Sequence, residues 1–368
     1  MAGSIADLRA KMSGKNGLIL ALEERGFCAV LQKGKTLQYE SRNLADFYPL
    51  IKKASIAWVD YVVDDFGQDA VKYAKELGFT EALVKNLLKN KRSGYEDFDS
   101  EMGLYLPAII VDGFDVRLQP LLILIRKNVL VTLHTSEAKR FFRVRRYAQT
   151  LLRKLPLASS LNDKMTLLLI RIIDENNARN FDHLQEIEEH GDKLSEELSN
   201  SKTPREILGK KIYQMKHALI LYLGGLWATV DALNSLRYGD ADLISDDPKL
   251  IGRVSLLVSE VNAQIGLAEH MSEVLASGLE VLQSIYNNQL QILNNRLALL
   301  VGYLTIIGTA LLVPNTIATI ASSSAFDLKP SDELWYVTLI VVSTVVAMIV
   351  SWWAVKKMGL LPKGPDAD

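Results

Sequence analysis

The sequence predicts an α+β membrane protein: an N-terminal α/β cytosolic domain, a long stalk helix and two C-terminal transmembrane helices. Three observations carry this. Two long charge-free runs lie near the C-terminus, "LALLVGYLTIIGTALLVPNTIATIASSSAF" over residues 297–326 and "LWYVTLIVVSTVVAMIVSWWAV" over 334–355. Ahead of them, no proline occurs between Pro248 and Pro314, and apolar residues recur there in steps of four and three. The first 150 residues instead hold short β-rich runs bounded by Gly, Pro, Asn or Asp.

Residues 1–136 form the predicted α/β domain. "GLILALEE", "GFCAVLQKG", "SIAWVDYVV", "PAIIVDGF" and "PLLILIRKNVLVTLH" read as its β-rich runs, with "DAVKYAKELG" and "TEALVKNLLKNK" as intervening helices. Residues 137–247 read as a helical cytosolic hairpin region, from "EAKRFFRVRRYAQTLLRKL" to "HALILYLGGLWATVDALNSL". Within it "SKTP" at 201–204 is a turn, with Thr203 as N-cap and Pro204 in the first helical position.

The stalk is predicted over 248–296. Val254, Val258, Val261, Ile265, Ala268, Leu275, Leu279, Leu282, Tyr286 and Leu293 follow a heptad rhythm, broken by polar residues at Ser272 and Gln289. Such a seam packs lengthwise against other helices, either to hold subunits together or, further along, to line a pore. No breaker separates the stalk from the first apolar run. Each run exceeds the ~20 residues that span about 30 Å of hydrocarbon. The spans are therefore set at 297–326 and 334–355, with an outer acidic loop at 327–333 and a basic tail at 356–368.

Charge sets the orientation. The loop "DLKPSDE" carries Asp327, Asp332 and Glu333 against one lysine, while Arg296, Lys356, Lys357 and Lys363 flank the other ends of the runs. Positive charge marks the cytoplasmic side, so both termini are expected in the cytosol and the loop outside. Trp335, Tyr336, Trp352 and Trp353 stand where interfacial aromatics stand. The start of the chain lacks the apolar core of a signal peptide. A multi-pass protein of the cell membrane is the expectation.

Composition narrows the function. The net charge is −1, which gives no electrostatic basis for binding nucleic acid. Mean hydropathy is +0.10 despite 23% charged residues, because the apolar content is concentrated near the C-terminus. Cys28 is the single cysteine, so no disulfide forms within the chain. No glycine-rich phosphate loop, His-Glu-x-x-His or nucleophile elbow is present. The reading is not an enzyme, with no organic cofactor. "FDHLQEIEEHGD" holds His183 and His190 on one helical face, either a zinc site or a solvated charged helix. Glu260, Glu269, Glu273 and Glu280 on the stalk are further carboxylates for a regulatory ion.

The order of these parts resembles the CorA family of divalent-cation channels. The resemblance is carried by "PLLILIRKNVLVTLH", "HALILYLGGLWATVDAL", "DLISDD", "LQSIYNNQLQILNNRLALLVGYLTII", "LTIIGTALLVPNTIATIA" and "DELW". It implies a funnel-shaped homopentamer with the first span of each subunit around a central pore, and a divalent metal cation as the transported or regulatory ion. The family carries Gly-Met-Asn at the outer end of that span. Here Ser322, Ser323 and Ser324 stand at the aligned positions and no Gly-Met-Asn exists, so ion selectivity is expected to be altered.

Val301, Leu304, Gly308, Leu312, Asn315, Thr319 and Ser322 step at three and four and share one helix face, matching the family's pore-facing register. That face is apolar at the cytosolic end and polar at the outer end. Asn315 either offers a ring of carboxamides or satisfies carbonyls freed by Pro314. Thr319 and Ser322 either line the pore or bond back to the preceding turn. Leu304 and Leu312 suit a gate that closes by dewetting, or ordinary interhelix packing. Asp327, Asp332 and Glu333 would concentrate cations outside, and Lys356 and Lys357 would anchor the topology or ring the cytosolic exit. The alternative to a conducting channel is a nonconducting paralogue with a structural or sensory role.

Overall fold

A computed structural model describes residues 25–89, 93–156, 158–199, 205–239, 241–323 and 333–357. The run "GLILALEE", the turn at 201–204, Ser324, Asp327, Asp332 and the tail beyond Lys357 lie outside them. The chain divides into two compact units, residues 1–278 and 279–368.

The first unit is built on a seven-stranded sheet in the order β2-β1-β3-β7-β6-β5-β4. Its strands are β1 (Gly26–Gln32), β2 (Lys35–Ser41), β3 (Ile56–Val62), β4 (Gly94–Phe98), β5 (Glu101–Asp112), β6 (Asp115–Arg126) and β7 (Val129–His134). Only β3 and β7 pair parallel; every other neighbouring pair is antiparallel. The β1–β2 hairpin turns on Lys33 and Gly34, both at positive φ (48° and 79°), the backbone of a tight two-residue turn.

Alternation along the strands separates two packed faces. Cys28, Val30, Val59, Val131 and Leu133 face a core closed by α2 (Phe66–Glu76) and α3 (Glu81–Lys89), beside the short α1 (Tyr48–Lys53). This burial raises the Cys28 thiol to about 12. Trp58, Asp60, Thr132 and His134 fall on the other face. There α4 (Arg140–Arg153) packs on β1 and β2, and α7 (Arg205–Tyr238) packs on β5 and β6. Gly225 allows that approach, since a Cβ there would lie 2.8 Å from Leu118 Cδ2 and 3.0 Å from Ile109 Cδ1.

Beneath α4 lies a wholly buried ionic cluster. Arg145 Nε donates to Asp60 Oδ2 at 2.6 Å, His134 Nε2 lies 3.2 Å from the same oxygen, and the Thr132 hydroxyl donates to Oδ1. Burial alone would raise the Asp60 pKa, but His134 and Arg145 outweigh it and hold the carboxyl well below its usual range. The cluster ties β3 and β7 to α4.

Two more helices, α5 (Leu161–Asn177) and α6 (Asn180–Ser199), complete the layer before α8 (Pro248–Ala321). A capping box between Ser160 and Asp163 starts α5. The "DLISDD" stretch docks on the same turn: Ser245 N donates to Thr166 Oγ1 at 2.9 Å and Ser245 Oγ to Asp163 Oδ1 at 2.5 Å. Asp247 Oδ1 then accepts from Lys249 N at 2.9 Å, and Pro248 opens α8, where its missing N–H costs nothing.

The helix α8 has 74 residues, about 110 Å at 1.5 Å per residue. The predicted heptad seam divides along it. Val254, Val258, Val261, Ile265 and Ala268 are buried within the first unit, while Tyr286 and Leu293 stand exposed in the second. The first half of the seam thus packs inside the chain itself, and the second half stands open. Leu267, Met271, Val274 and Leu275 of α8 share a cavity of about 150 Å³ with Leu194 of α6 and Ile212 and Met215 of α7.

Candidate ion pathway

The second unit holds the end of α8 and the helix α9 (Glu333–Lys357). On α8, Gly302, Ala310 and Pro314 are buried and Ile306 and Ile317 half-buried. On α9, Ala347, Ser351 and Val355 are buried, one turn apart. Gly302 meets Val355: a Cβ on the glycine would sit 3.6 Å from Val355 Cγ1. Small residues at four-residue spacing let the two helices approach closely.

Val301, Leu304, Leu312, Asn315, Thr319 and Ser322 are all exposed, and Gly308 half-buried. At about 100° per residue, this stripe centres roughly 180° from the buried stripe of Gly302, Ala310 and Pro314. The face is therefore the one α9 leaves uncovered.

Helix α8 continues through Pro314. Proline has no N–H for the Ala310 carbonyl. Around it, hydroxyls reinforce the ladder: Thr316 Oγ1 donates to Leu312 O at 2.8 Å, Thr319 Oγ1 to Asn315 O at 2.7 Å and Ser322 Oγ to Thr319 O at 3.2 Å. Each hydroxyl keeps its oxygen lone pairs for another partner. The Asn315 carboxamide makes no hydrogen bond among the described residues, so the carbonyls near Pro314 do not occupy it. Helix α8 ends at Ala321, and Ser323 just beyond it donates its N–H to Ile320 O.

At the other end, Lys356 Nζ lies 5.1 Å from the Trp352 ring and Lys357 Nζ 4.8 Å from the Trp353 ring. These cation–π contacts fix two ammonium groups beside two indoles. The sequence reading gave the lysines and tryptophans separate roles and missed the pairing, although the i, i+4 spacing signals it. Glu333 lies in the first turn of α9, where the helix dipole favours a carboxylate.

No group of three or more metal-ligating side chains converges among the described residues of the single chain. His183 and His190 do not form a shared site. His183 is 6% exposed, and its pKa is lowered to about 4 by burial and then by Arg140 and Arg179. His190 packs against Phe114, ring centroids 5.3 Å apart and planes tilted by 55°. The helix that carries them is not a merely solvated one either, because its inner face packs. Three helices are long and apolar enough to cross a membrane: Ile207–Tyr238, Pro248–Ala321 and Glu333–Lys357. In the first, 56% of the apolar window is buried in the protein, against 17% and 11% in the other two, which marks α7 as a core helix.

An α/β domain, a helical layer and two long apolar helices, one with an uncovered polar-ended face, make up the fold. The family model described as "CorA-like Mg2+ transporter protein" matches residues 53–357. The chain belongs to the CorA family of divalent-cation transporters. The fold is similar to the CorA magnesium transporter of Methanocaldococcus jannaschii, at 17% identity over 91% of this chain and 98% of that one, with a TM-score of 0.67. It is similar to the full-length CmaX protein, at 16% identity over 91% and 98%, with a TM-score of 0.56. It is also similar to the ZntB cytoplasmic domain of Vibrio parahaemolyticus, at 16% identity over 71% and 98%, with a TM-score of 0.52. No curated protein matches the sequence. At these identities the likeness is one of fold.

Proposed function

We propose that the protein is a homopentameric channel that passes divalent cations through a central pore, with selectivity altered from that of a Gly-Met-Asn filter. In this reading residues 297–326 and 334–355 cross the cell membrane, both termini are cytosolic and the first spans of five copies surround the pore. The observation that carries the proposal is the stripe from Val301 to Ser322, exposed and opposite the face that α9 covers. A helix with one side packed on its own chain and the other polar at one end is suited to face an axis.

Along that axis Val301, Leu304 and Leu312 form the apolar constriction that closes by dewetting. Asn315 supplies the carboxamide ring, and Thr319 and Ser322 add hydroxyls above it. Mg²⁺ gives up its waters reluctantly, so carboxamide oxygens hold the hydrated ion through those waters. Serine hydroxyls in place of Gly-Met-Asn reach less far and leave a wider, weaker outer site, open to Mg²⁺ and to Co²⁺, Ni²⁺ or Zn²⁺. Asp327, Asp332 and Glu333 raise the cation concentration outside. Lys356 and Lys357, held against their tryptophans, anchor the cytosolic end.

The test is flux into proteoliposomes with indicator dyes for Mg²⁺, Ni²⁺, Co²⁺ and Zn²⁺. Flux in the wild type that is lost in Asn315→Leu supports the reading. Absence of flux for all four ions, at low and high internal metal, leaves the nonconducting paralogue.

A further inference from the structure

Where α5 passes into α6, against α7 and α8, four buried side-chain atoms have no hydrogen-bond partner. They are Asn177 Nδ2, Asn180 Oδ1, His183 Nδ1 and Gln264 Nε2. Their residues are between 0 and 6% exposed. The groups belong to one locale. Asn180 Nδ2 donates to Gln264 Oε1 at 3.1 Å, and Tyr222 Oη donates to Asn180 O at 2.6 Å. Asn176, beside Asn177, donates to Pro107 O at 3.0 Å and accepts from Arg140. Unpaired buried polar atoms are costly, and four together call for a guest.

The charge of the locale says which guest. Arg140 is 8% exposed, and its guanidinium donates to the carbonyls of Asn176 and Ile109 and to no carboxylate among the described residues. Burial lowers its pKa to about 10, and Arg179 and Arg143 act in the same direction. Asp182 lies 3.8 Å from Arg179, on the exposed side. A buried charge without a counterion is expensive. A metal cation would meet the same burial, and then the same Arg140 and Arg179 charges, that keep a proton off His183. Water alone would satisfy the amides but leave Arg140 uncompensated. The enclosure of these residues excludes a bulky anion.

The geometry points to an interior binding site for a small monovalent anion of chloride size, held by Asn177 Nδ2, Gln264 Nε2 and the field of Arg140. His183 contributes an Nδ1–H in the matching tautomer, and Asn180 Oδ1 accepts from a companion water. Gln264 belongs to α8 and Arg140 reaches the β5 carbonyl of Ile109, so the anion links the root of the long helix to the sheet. This site is independent of the proposed ion pathway.

Bromide is the probe, used on the full-length protein. Crystals soaked in bromide are expected to show an anomalous peak bounded by Asn177, Gln264 and Arg140. In detergent, replacing gluconate by chloride or bromide at constant ionic strength is expected to raise the Tm saturably by roughly 2–4 °C. Gln264→Leu is expected to lose that increment. A bromide map with no peak at the site overturns the proposal, as does an equal halide response in wild type and Gln264→Leu. Should Gln264→Leu fail to fold, the wild-type bromide map decides.

Discussion

Asp60 shows how a single buried side chain binds the sheet to its helical layer. It accepts from Thr132 and Arg145 with His134 beside it, all fully buried. Asp60→Asn keeps the shape but removes the buried carboxylate charge that faces Arg145 and His134. We expect a loss of about 3–5 kcal/mol, read from urea unfolding of the full chain. Two buried groups shape the acid limb of stability. His183 has a folded pKa of about 4, below the ~6.5 of an unfolded histidine, so the unfolded state binds the proton first. Its contribution is fully present above pH 6.5 and is lost as pH falls toward 4. The lowered Asp60 pKa acts in the same sense but only below the unfolded carboxyl value of about 4. Stability should therefore begin to fall near pH 6.5, and His183→Gln should flatten the slope between 6.5 and 4. An unchanged slope in that variant, followed by thermal unfolding, would rule out this assignment.

At the scale of elements, close approach and divided surfaces decide the outcome. Gly225 lets α7 sit on β5 and β6, and a Cβ 2.8 Å from Leu118 cannot be accommodated without a shift. Gly225→Ala is expected to cost about 1–3 kcal/mol, measured by denaturant unfolding. The two halves of the stalk seam should respond differently. Val261 is 0% exposed, so Val261→Ala should lower the stability of the first unit by roughly 1–3 kcal/mol. Leu293 is 52% exposed, so Leu293→Ser should leave unfolding unchanged and weaken self-association, followed by light scattering in detergent. The strands β1, β3, β6 and β7 were legible because their apolar runs are buried. β2 and β4 were not: "KTLQYES" and "GYEDF" are edge strands, half-exposed and polar, and acquire their form only by pairing with β1 and β5.

For the whole molecule, the proposed pore makes two substitutions diverge. Asn315→Leu removes a polar ring and should abolish divalent flux. Leu304→Ser wets the apolar constriction and should raise the basal leak in the same proteoliposomes. Loss of flux in both, with intact folding, would argue for interhelix packing instead. The candidate face itself was legible in the sequence, because three- and four-residue steps project onto one side of any helix. That α9 covers the opposite side was not, since it depends on which helix Gly302, Ala310 and Pro314 turn toward.

The sequence by itself determined the long apolar helices, the family and the absence of Gly-Met-Asn, because length, hydropathy and short motifs are local properties. It also offered the anionic and cationic flanks of the apolar runs. Only the tertiary structure decided that α7, apolar enough to cross a membrane, belongs to the core, and that half of the heptad seam is used inside the chain. It alone gathered Asn177, Asn180, His183 and Gln264 around an uncompensated Arg140. Sequence periodicity says which residues share a face, whereas burial and partners depend on what the rest of the chain brings against that face.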